Sequence, residues 1–177
     1  MIYFTTGDIF WCGAEALVNP VNCVGVMGKG MALKCKKLYP ENYKEYREAC
    51  KWLKPGKLYT HRVPDPSNHV KYIINFPTKD HWRNPSKLEY ISEGLDALKD
   101  EINTLRLYSI TIPALGCGCG GLSWRDVEPL IREKLSDVDC EVYCYVPFSF
   151  IKKGVRTEEG APLKMDNEGY FIPDEEA

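Results

Sequence analysis

Ser109-Ile-Thr-Ile-Pro113-Ala-Leu-Gly116-Cys-Gly118-Cys-Gly120-Gly121-Leu-Ser123 is the stretch that decides the fold. A β-branched run ends at a proline, four glycines follow within six residues, and an amphipathic segment opens at Ser123–Asp126 with Val127, Leu130, Ile131 and Leu135 on one side. Each ordered glycine costs about 0.5–1 kcal/mol of backbone entropy and a turn needs only one or two, so four together favour close approach of the main chain to a ligand. Strand, glycine loop and helix in that order present backbone N–H groups and a helix N-terminus at the carboxyl end of a strand, which suits an anion. Gly25-Val-Met-Gly28-Lys29-Gly30 repeats the arrangement after the apolar run Ala16–Pro20. Two such loops imply one shared crevice, in which a diphosphate fits. The first loop has neither the G-x-x-x-x-G-K-[ST] pattern nor a G-x-G-x-x-G with an acid about 20 residues downstream, so P-loop and Rossmann readings are weak and a plain tight turn remains the alternative.

Outward from these loops, short apolar runs alternate with helical periodicity, predicting an α/β fold of β-α-β units with a mixed sheet. Six strands are expected: Ile2–Thr5, Ala16–Pro20, Gly56–Arg62, Lys71–Phe76, Ser109–Pro113 and Glu141–Val146. The clearest helix is Lys87–Leu105, with Leu88, Ile91, Leu95, Leu98, Ile102 and Leu105 in steps of three and four, and Ser86 to Glu89 reading as a capping box. Lys29–Leu38 and Glu41–Trp52 read as helices divided by Pro40, and Asp126 as the cap that leaves Pro129 in a first turn. After Pro147 the pattern stops. Residues 149–177 read as an extension with little regular structure beyond a hairpin around Asp166–Gly169.

The 177 residues suit one compact domain, and a composition of 44% hydrophobic and 27% charged residues excludes a disordered chain. No apolar stretch approaches the roughly 18–20 residues of a membrane span, and the N-terminal MIYFTTGDIF lacks a basic segment followed by an apolar one, so no membrane partner and a cytoplasmic location are expected. Residues 1–83 carry 13 Lys/Arg against 7 Asp/Glu, whereas 84–150 carry 6 against 11 and 151–177 carry 4 against 7. The first half can meet a phosphate-bearing ligand, but a net charge of −2 is not that of a general duplex-DNA binder. The eight cysteines sit singly or as Cys117-x-Cys119, and with only three histidines they read as reduced thiols rather than disulfides or a zinc site. No metal and no cofactor are therefore expected.

Several dispersed segments resemble, in order and spacing, those of the macro domain family: Thr6-Gly7-Asp8-Ile9, Ala16-Leu-Val-Asn19-Pro-Val-Asn22, Gly25-Val-Met-Gly-Lys-Gly-Met-Ala-Leu33 and Pro113-Ala-Leu-Gly-Cys-Gly-Cys-Gly-Gly-Leu122. The resemblance covers residues 1–148 and implies a three-layer α/β/α domain around a six-strand mixed sheet. Within the family, Tyr72-Ile-Ile-Asn-Phe-Pro-Thr-Lys79-Asp-His-Trp-Arg83 followed by Ser86-x-Leu-Glu is most similar to DarG-type antitoxin macrodomains, which remove ADP-ribose from thymidine in DNA. It is similar at greater distance to the glycohydrolase that frees ADP-ribose from protein glutamate. That relative carries an aspartate where this chain has Gly120, and DarG-type domains share the glycine.

The resemblance implies roles for particular residues. Asp8 matches the acid that accepts from the adenine amino group, with Ile9 beside it, and Tyr145 matches the aromatic that stacks on adenine. Asn22 matches an asparagine near the distal ribose and is a catalytic candidate; Asn19, Gly28, Lys29, Gly30, Gly116, Cys117, Gly118, Cys119 and Gly120 are ligand contacts. Lys79 is the main catalytic candidate, acting on the anomeric carbon of the distal ribose. A lysine amine attacks a ring-opened aldehyde as a Schiff base once burial or a nearby cation such as Arg83 brings its pKa down from ~10.4. His81, Trp82 and Arg83 follow directly and would meet the base to which ADP-ribose is joined, although a tryptophan there can equally anchor its own loop. The implied function is an ADP-ribosyl glycohydrolase acting on thymidine of single-stranded DNA. The alternatives are a hydrolase of ester-linked ADP-ribose on glutamate or acetyl groups, and a non-catalytic ADP-ribose-binding module. The partners implied are ADP-ribose, ADP-ribosylated single-stranded DNA and a DarT-type ADP-ribosyltransferase, for a monomeric protein. Full DarG proteins continue into a toxin-binding region whereas this sequence stops at Ala177, which reads as a standalone relative or as a macrodomain with another task.

Overall fold

The computed structural model describes residues 1–65 and 69–177. Twelve elements follow in order: β1 (Ile2–Thr5), β2 (Ala16–Val21), α1 (Gly30–Leu38), α2 (Pro40–Ala49), β3 (Tyr59–Arg62), β4 (Tyr72–Pro77), α3 (Leu88–Leu105), β5 (Ser109–Ile112), α4 (Trp124–Leu135), β6 (Glu141–Tyr145), β7 (Leu163–Met165) and β8 (Phe171–Pro173). They form one mixed sheet in the order β3-β4-β2-β5-β6-β1-β7-β8. The five central strands β4, β2, β5, β6 and β1 are mutually parallel, so their carboxyl ends open on one edge.

Parallel interior strands are covered on both faces and therefore read as continuous apolar runs. Val18 of β2, Ile74 and Phe76 of β4, Ile110 and Ile112 of β5, and Val142 and Cys144 of β6 pack against Ile91, Leu95, Leu98 and Ile102 of α3 and Val127, Ile131 and Leu135 of α4. On the opposite face Leu17 and Ile73 meet Cys35 of α1, and Val21 meets Tyr46 of α2. Those two helical layers make the fold α/β/α, as the family resemblance implies. Gly94 lets α3 approach β4, because a Cβ at that position would run into the Phe76 ring.

Three expectations need correction. The sheet has eight strands instead of six, because the hairpin expected around Asp166–Gly169 within residues 149–177 forms as β7 and β8 and joins the sheet beside β1. Their hairpin closes at Asp166, whose Oδ1 accepts the N–H groups of Glu168 and Tyr170 at 2.9 Å each. Leu163 pairs with Phe4, so β1 is not left as an open edge, and Phe171 is fully buried with its ring 5.1 Å from that of Phe4. Second, Ser123 rather than Asp126 caps α4, its hydroxyl accepting from Arg125 N–H, and Pro129 lies inside the helix. Third, the capping box at α3 does not form. The N-cap is Lys87, with no side-chain cap, and the Ser86 backbone N–H instead donates to the Gly120 carbonyl at 2.9 Å, drawing the start of α3 to the second glycine loop.

Candidate active site

Every residue singled out by sequence except the buried Asn19 lies on a segment that follows or closes a parallel strand on the open edge. β1 runs into Gly7 and Asp8, β2 into the loop 22–30, β4 into 78–83, β5 into 114–121, and β6 closes at Tyr145. Crevices outside the carboxyl ends of parallel strands are where α/β proteins bind ligands.

At the β4 end, the Lys79 ammonium donates to the Cys119 carbonyl at 2.8 Å and to the Trp82 carbonyl at 3.4 Å. The same residue's carbonyl accepts from the Cys23 thiol at 3.4 Å, and Cys23 N–H donates to the Asp80 carbonyl at 3.1 Å. Lys79 thus joins both glycine loops. Arg83 turns to Trp82 instead: its guanidinium lies 4.7 Å from the Trp82 ring centroid, and the His81 ring centroid is 5.2 Å from the same ring on a tilted approach. Trp82 is 46% exposed, so its ring stands outside the core. The Asp80 carboxyl is held down by hydrogen bonds from the Asn84 amide and the His81 N–H, which tie off this turn.

The two loops differ in how they are built. In the first, the Asn22 side chain is committed to its own backbone: Oδ1 accepts from Val24 N–H at 3.0 Å, from Val26 N–H at 3.4 Å and from the Tyr46 hydroxyl at 2.8 Å, while Nδ2 donates to the Val26 carbonyl at 2.8 Å. The expected catalytic asparagine is a brace for the loop. Met27 is buried and Gly28, Lys29 and Gly30 are exposed at the start of α1, where N–H groups have no helical partner. In the second loop, Gly118 and Gly121 have open space where a side chain would project, whereas a Cβ on Gly120 would run into the Ser86 hydroxyl and the Gly116 carbonyl. Cys117 is half-buried and burial pushes its thiol up to about 11, so it serves as packing, while Cys119 is exposed.

Asn19 leaves the site altogether. It is fully buried, and its amide donates to Asn75 Oδ1 at 3.2 Å in a network that continues to Asn42 of α2. The expected ligand contact is a strut between sheet and helix.

At the β1 end, Asp8 and Tyr145 line one cavity of about 400 Å³ with Trp11 and Cys12. Asp8 Oδ1 caps the 3₁₀ turn Ile9–Trp11 by accepting from Phe10 N–H at 3.0 Å, and Oδ2 accepts from Lys34 at 2.6 Å. Burial alone would raise the Asp8 carboxyl, but Lys34 and the Phe10 N–H outweigh it and hold the group below the ordinary carboxylate range. Burial raises the Tyr145 hydroxyl, with Cys12, Glu159 and Asp8 adding to the effect. Ile9 turns its side chain toward the cluster around Leu17. Sequence reading missed Lys34, Cys12 and Glu159; the first two lie near matched motifs, and nothing local marks the third. Among the described residues no group of three or more His, Cys, Asp or Glu is placed to hold a metal ion, and no helix is long and apolar enough to cross a membrane.

The site and its setting are thus those of a three-layer α/β/α domain with two glycine loops, a lysine between them and an acid-tyrosine cavity along one strand edge. The chain belongs to the macro domain family, whose pattern matches residues 18–131. It is 48% identical over 151 residues to the DNA ADP-ribosyl glycohydrolase of Mycobacterium tuberculosis and 45% identical over 150 residues to that of Thermus aquaticus, covering 81% and 83% of this chain. The chain spans about two fifths of those relatives, 42% and 41% of their length. Its fold superposes on the macrodomain of Mycobacterium tuberculosis DarG with a TM-score of 0.81 at 45% identity, covering 83% of this chain and 98% of that one. The corresponding values for Thermosipho africanus DarTG in complex with ADP-ribose are 0.78 and 35%, over 84% of this chain and 42% of that one.

Proposed function

We propose that this protein is an ADP-ribosyl glycohydrolase that cleaves the N-glycosidic bond between ADP-ribose and thymine in single-stranded DNA and releases ADP-ribose. The observation that carries the proposal is the Lys79 ammonium held 2.8 Å from the Cys119 carbonyl, between two loops suited to phosphate. Four interstrand steps of roughly 4.8 Å separate β4 from β1, about 19 Å in all, so the crevice suits a long, two-headed ligand. Its purine would lie in the Asp8–Tyr145 cavity and its diphosphate on the exposed N–H groups of the two loops, leaving the distal ribose at Lys79.

In the net reaction water adds across the bond, its hydroxyl going to the anomeric carbon and a proton to the base nitrogen. An ammonium proton of Lys79 passes to the base nitrogen as the bond to the base breaks and the freed nitrogen bonds to the anomeric carbon; water then displaces the lysine, its hydroxyl staying on the carbon and its proton returning to the amine. Trp82 supplies a flat face for the departing base and Arg83 a charge for the strand's phosphates. Asn22 takes part by holding the first loop in shape. No cofactor is needed beyond ADP-ribose as ligand and product.

The packing around Gly120 favours this reading over ester-linked substrates. The aspartate of the glutamate-directed branch has no room there, since even a Cβ would run into Ser86 and the Gly116 carbonyl. The relatives' names support a DNA substrate, and the name of the Thermosipho fusion, a DNA ADP-ribosyl transferase joined to a DNA ADP-ribosyl glycohydrolase, supports a DarT-type enzyme as the source of that substrate. A monomer working in the cytoplasm fits that role. Incubating an ADP-ribosylated single-stranded oligonucleotide and a glutamate-ADP-ribosylated protein with wild type and Lys79→Ala tests the proposal. Release from DNA alone, lost in the variant while ADP-ribose still binds, is the expected result. Release from protein alone moves the protein to the ester branch, and binding without release from either makes it a non-catalytic module.

A further inference from the structure

Residues 149–177 lie beyond the segment matched to the macro family, yet one of their side chains reaches the Asp8 end of the site. Glu159 Oε1 accepts the Asp8 backbone N–H at 2.8 Å, across 151 residues of sequence. The contact belongs to a clasp, since Gly160 N–H donates to the Thr6 carbonyl at 2.8 Å and Thr5 Oγ1 donates to the Ala161 carbonyl at 2.8 Å. Gly7 is required here twice over: its φ is +121°, and a Cβ would run into Glu159 Cγ. Glu159 lines the same cavity as Asp8 and Tyr145. The peptide between Gly7 and Asp8 is therefore gripped by the C-terminal segment, while the Asp8 carboxylate is divided between Phe10 N–H and Lys34.

We infer that Glu159 is a positioning residue for purine selection: by holding the Asp8 N–H it fixes the Asp8 carboxylate as an acceptor for an exocyclic amino group. The C-terminal segment then takes part in preferring adenine over a 6-oxo purine. The inference rests on the ADP-ribose reading of the site. A 6-amino purine donates to a carboxylate from its exocyclic nitrogen, whereas a 6-oxo purine presents an acceptor at position 6 and carries its donor at N1, so a carboxylate held opposite position 6 faces a second negatively polarised oxygen. Discrimination of this kind depends on how well the acceptor is held, because a group free to swing away loses both the bond and the repulsion.

The test is calorimetric binding of ADP-ribose and of inosine diphosphate ribose, its hypoxanthine counterpart, to wild type, Glu159→Ala and Glu159→Gln. Glu159 is exposed, so its truncation opens no cavity. Glu159→Ala should weaken ADP-ribose binding about tenfold, the weight of one hydrogen bond to a charged group, and leave the hypoxanthine ligand unchanged or bound somewhat more tightly as the repulsion is relieved. Glu159→Gln should keep the wild-type preference, because its amide oxygen accepts the same N–H. Unchanged affinities in Glu159→Ala, an equal loss for both ligands, or a Glu159→Gln that behaves like the alanine variant would overturn the inference. A wild type that binds neither ligand would overturn the ADP-ribose reading, and this inference with it.

Discussion

Gly118→Glu puts a carboxylate into the second glycine loop at a position where the fold offers no resistance. A Cβ on Gly118 meets nothing within 4 Å and the residue has no left-handed φ, so the cost to stability should stay within about 0.5 kcal/mol, as for other open surface positions. The cost to binding is of another order. At an effective dielectric of about 20, like charges roughly 5 Å apart repel by about 3 kcal/mol, and the diphosphate carries two of them. Allowing for screening, a loss of about 3–4 kcal/mol, or roughly 200- to 1000-fold in Kd, is expected. Calorimetry with ADP-ribose on a variant of unchanged circular dichroism and melting temperature measures it. Gly118→Gln has nearly the same volume without the charge and should lose far less, and raising the salt should restore part of the Gly118→Glu affinity and little of the Gly118→Gln affinity. Wild-type affinity in Gly118→Glu would place the diphosphate elsewhere, and equal losses in the two variants would show that volume acts rather than charge. Gly120→Ala is the contrasting case: it should lower the melting temperature, because its Cβ collides with Ser86 and Gly116.

Trp82→Ala should slow release of ADP-ribose from DNA by about tenfold or more while leaving affinity for free ADP-ribose within twofold, since base stacking on an aromatic is worth ~1–3 kcal/mol; equal losses in both assays would return Trp82 to a structural role. A chain ending at Phe150 should be markedly destabilised or aggregate, because it loses the buried Leu163 and Phe171 and leaves β1 as an open edge, and Phe171→Ala alone should cost about 3–5 kcal/mol in urea unfolding. The Asp8 carboxyl is depressed in the folded state, so its contribution to stability is present above the ordinary value of 3.8 and is lost as pH falls through the lower folded value. Lys34→Met should raise the Asp8 midpoint in a carboxylate NMR titration, and a midpoint that stays low would show that Phe10 N–H suffices without the lysine.

Much of the site is legible in the sequence because its parts are local. The loops at 25–30 and 116–121 announce themselves by glycine density, whereas Lys79, an ordinary surface lysine by its neighbours, is picked out by the resemblance to DarG-type domains. Misreadings arise where a side chain finds a partner that no local pattern names. Asn19 and Asn22 stand in the same motif, yet one is drawn into a buried amide network with Asn75 and Asn42 and the other braces Val24 and Val26. Ser86 has the spacing of a capping box, but a tertiary bond from its backbone to Gly120 takes precedence.

The sequence by itself determined the alternation of strands and helices and the two glycine loops, which follow from periodicity and turn chemistry, whose energies depend on residues a few positions apart, while the dispersed motifs carried the resemblance to the macro family. Only the tertiary structure decided that residues 163–173 extend the sheet beside β1, that Lys79 reaches the Cys119 carbonyl, and that Glu159 grips Asp8 from 151 residues away. The last three depend on an exposed strand edge and on unpaired backbone groups finding partners once the chain has closed, and that pairing has no counterpart in local sequence.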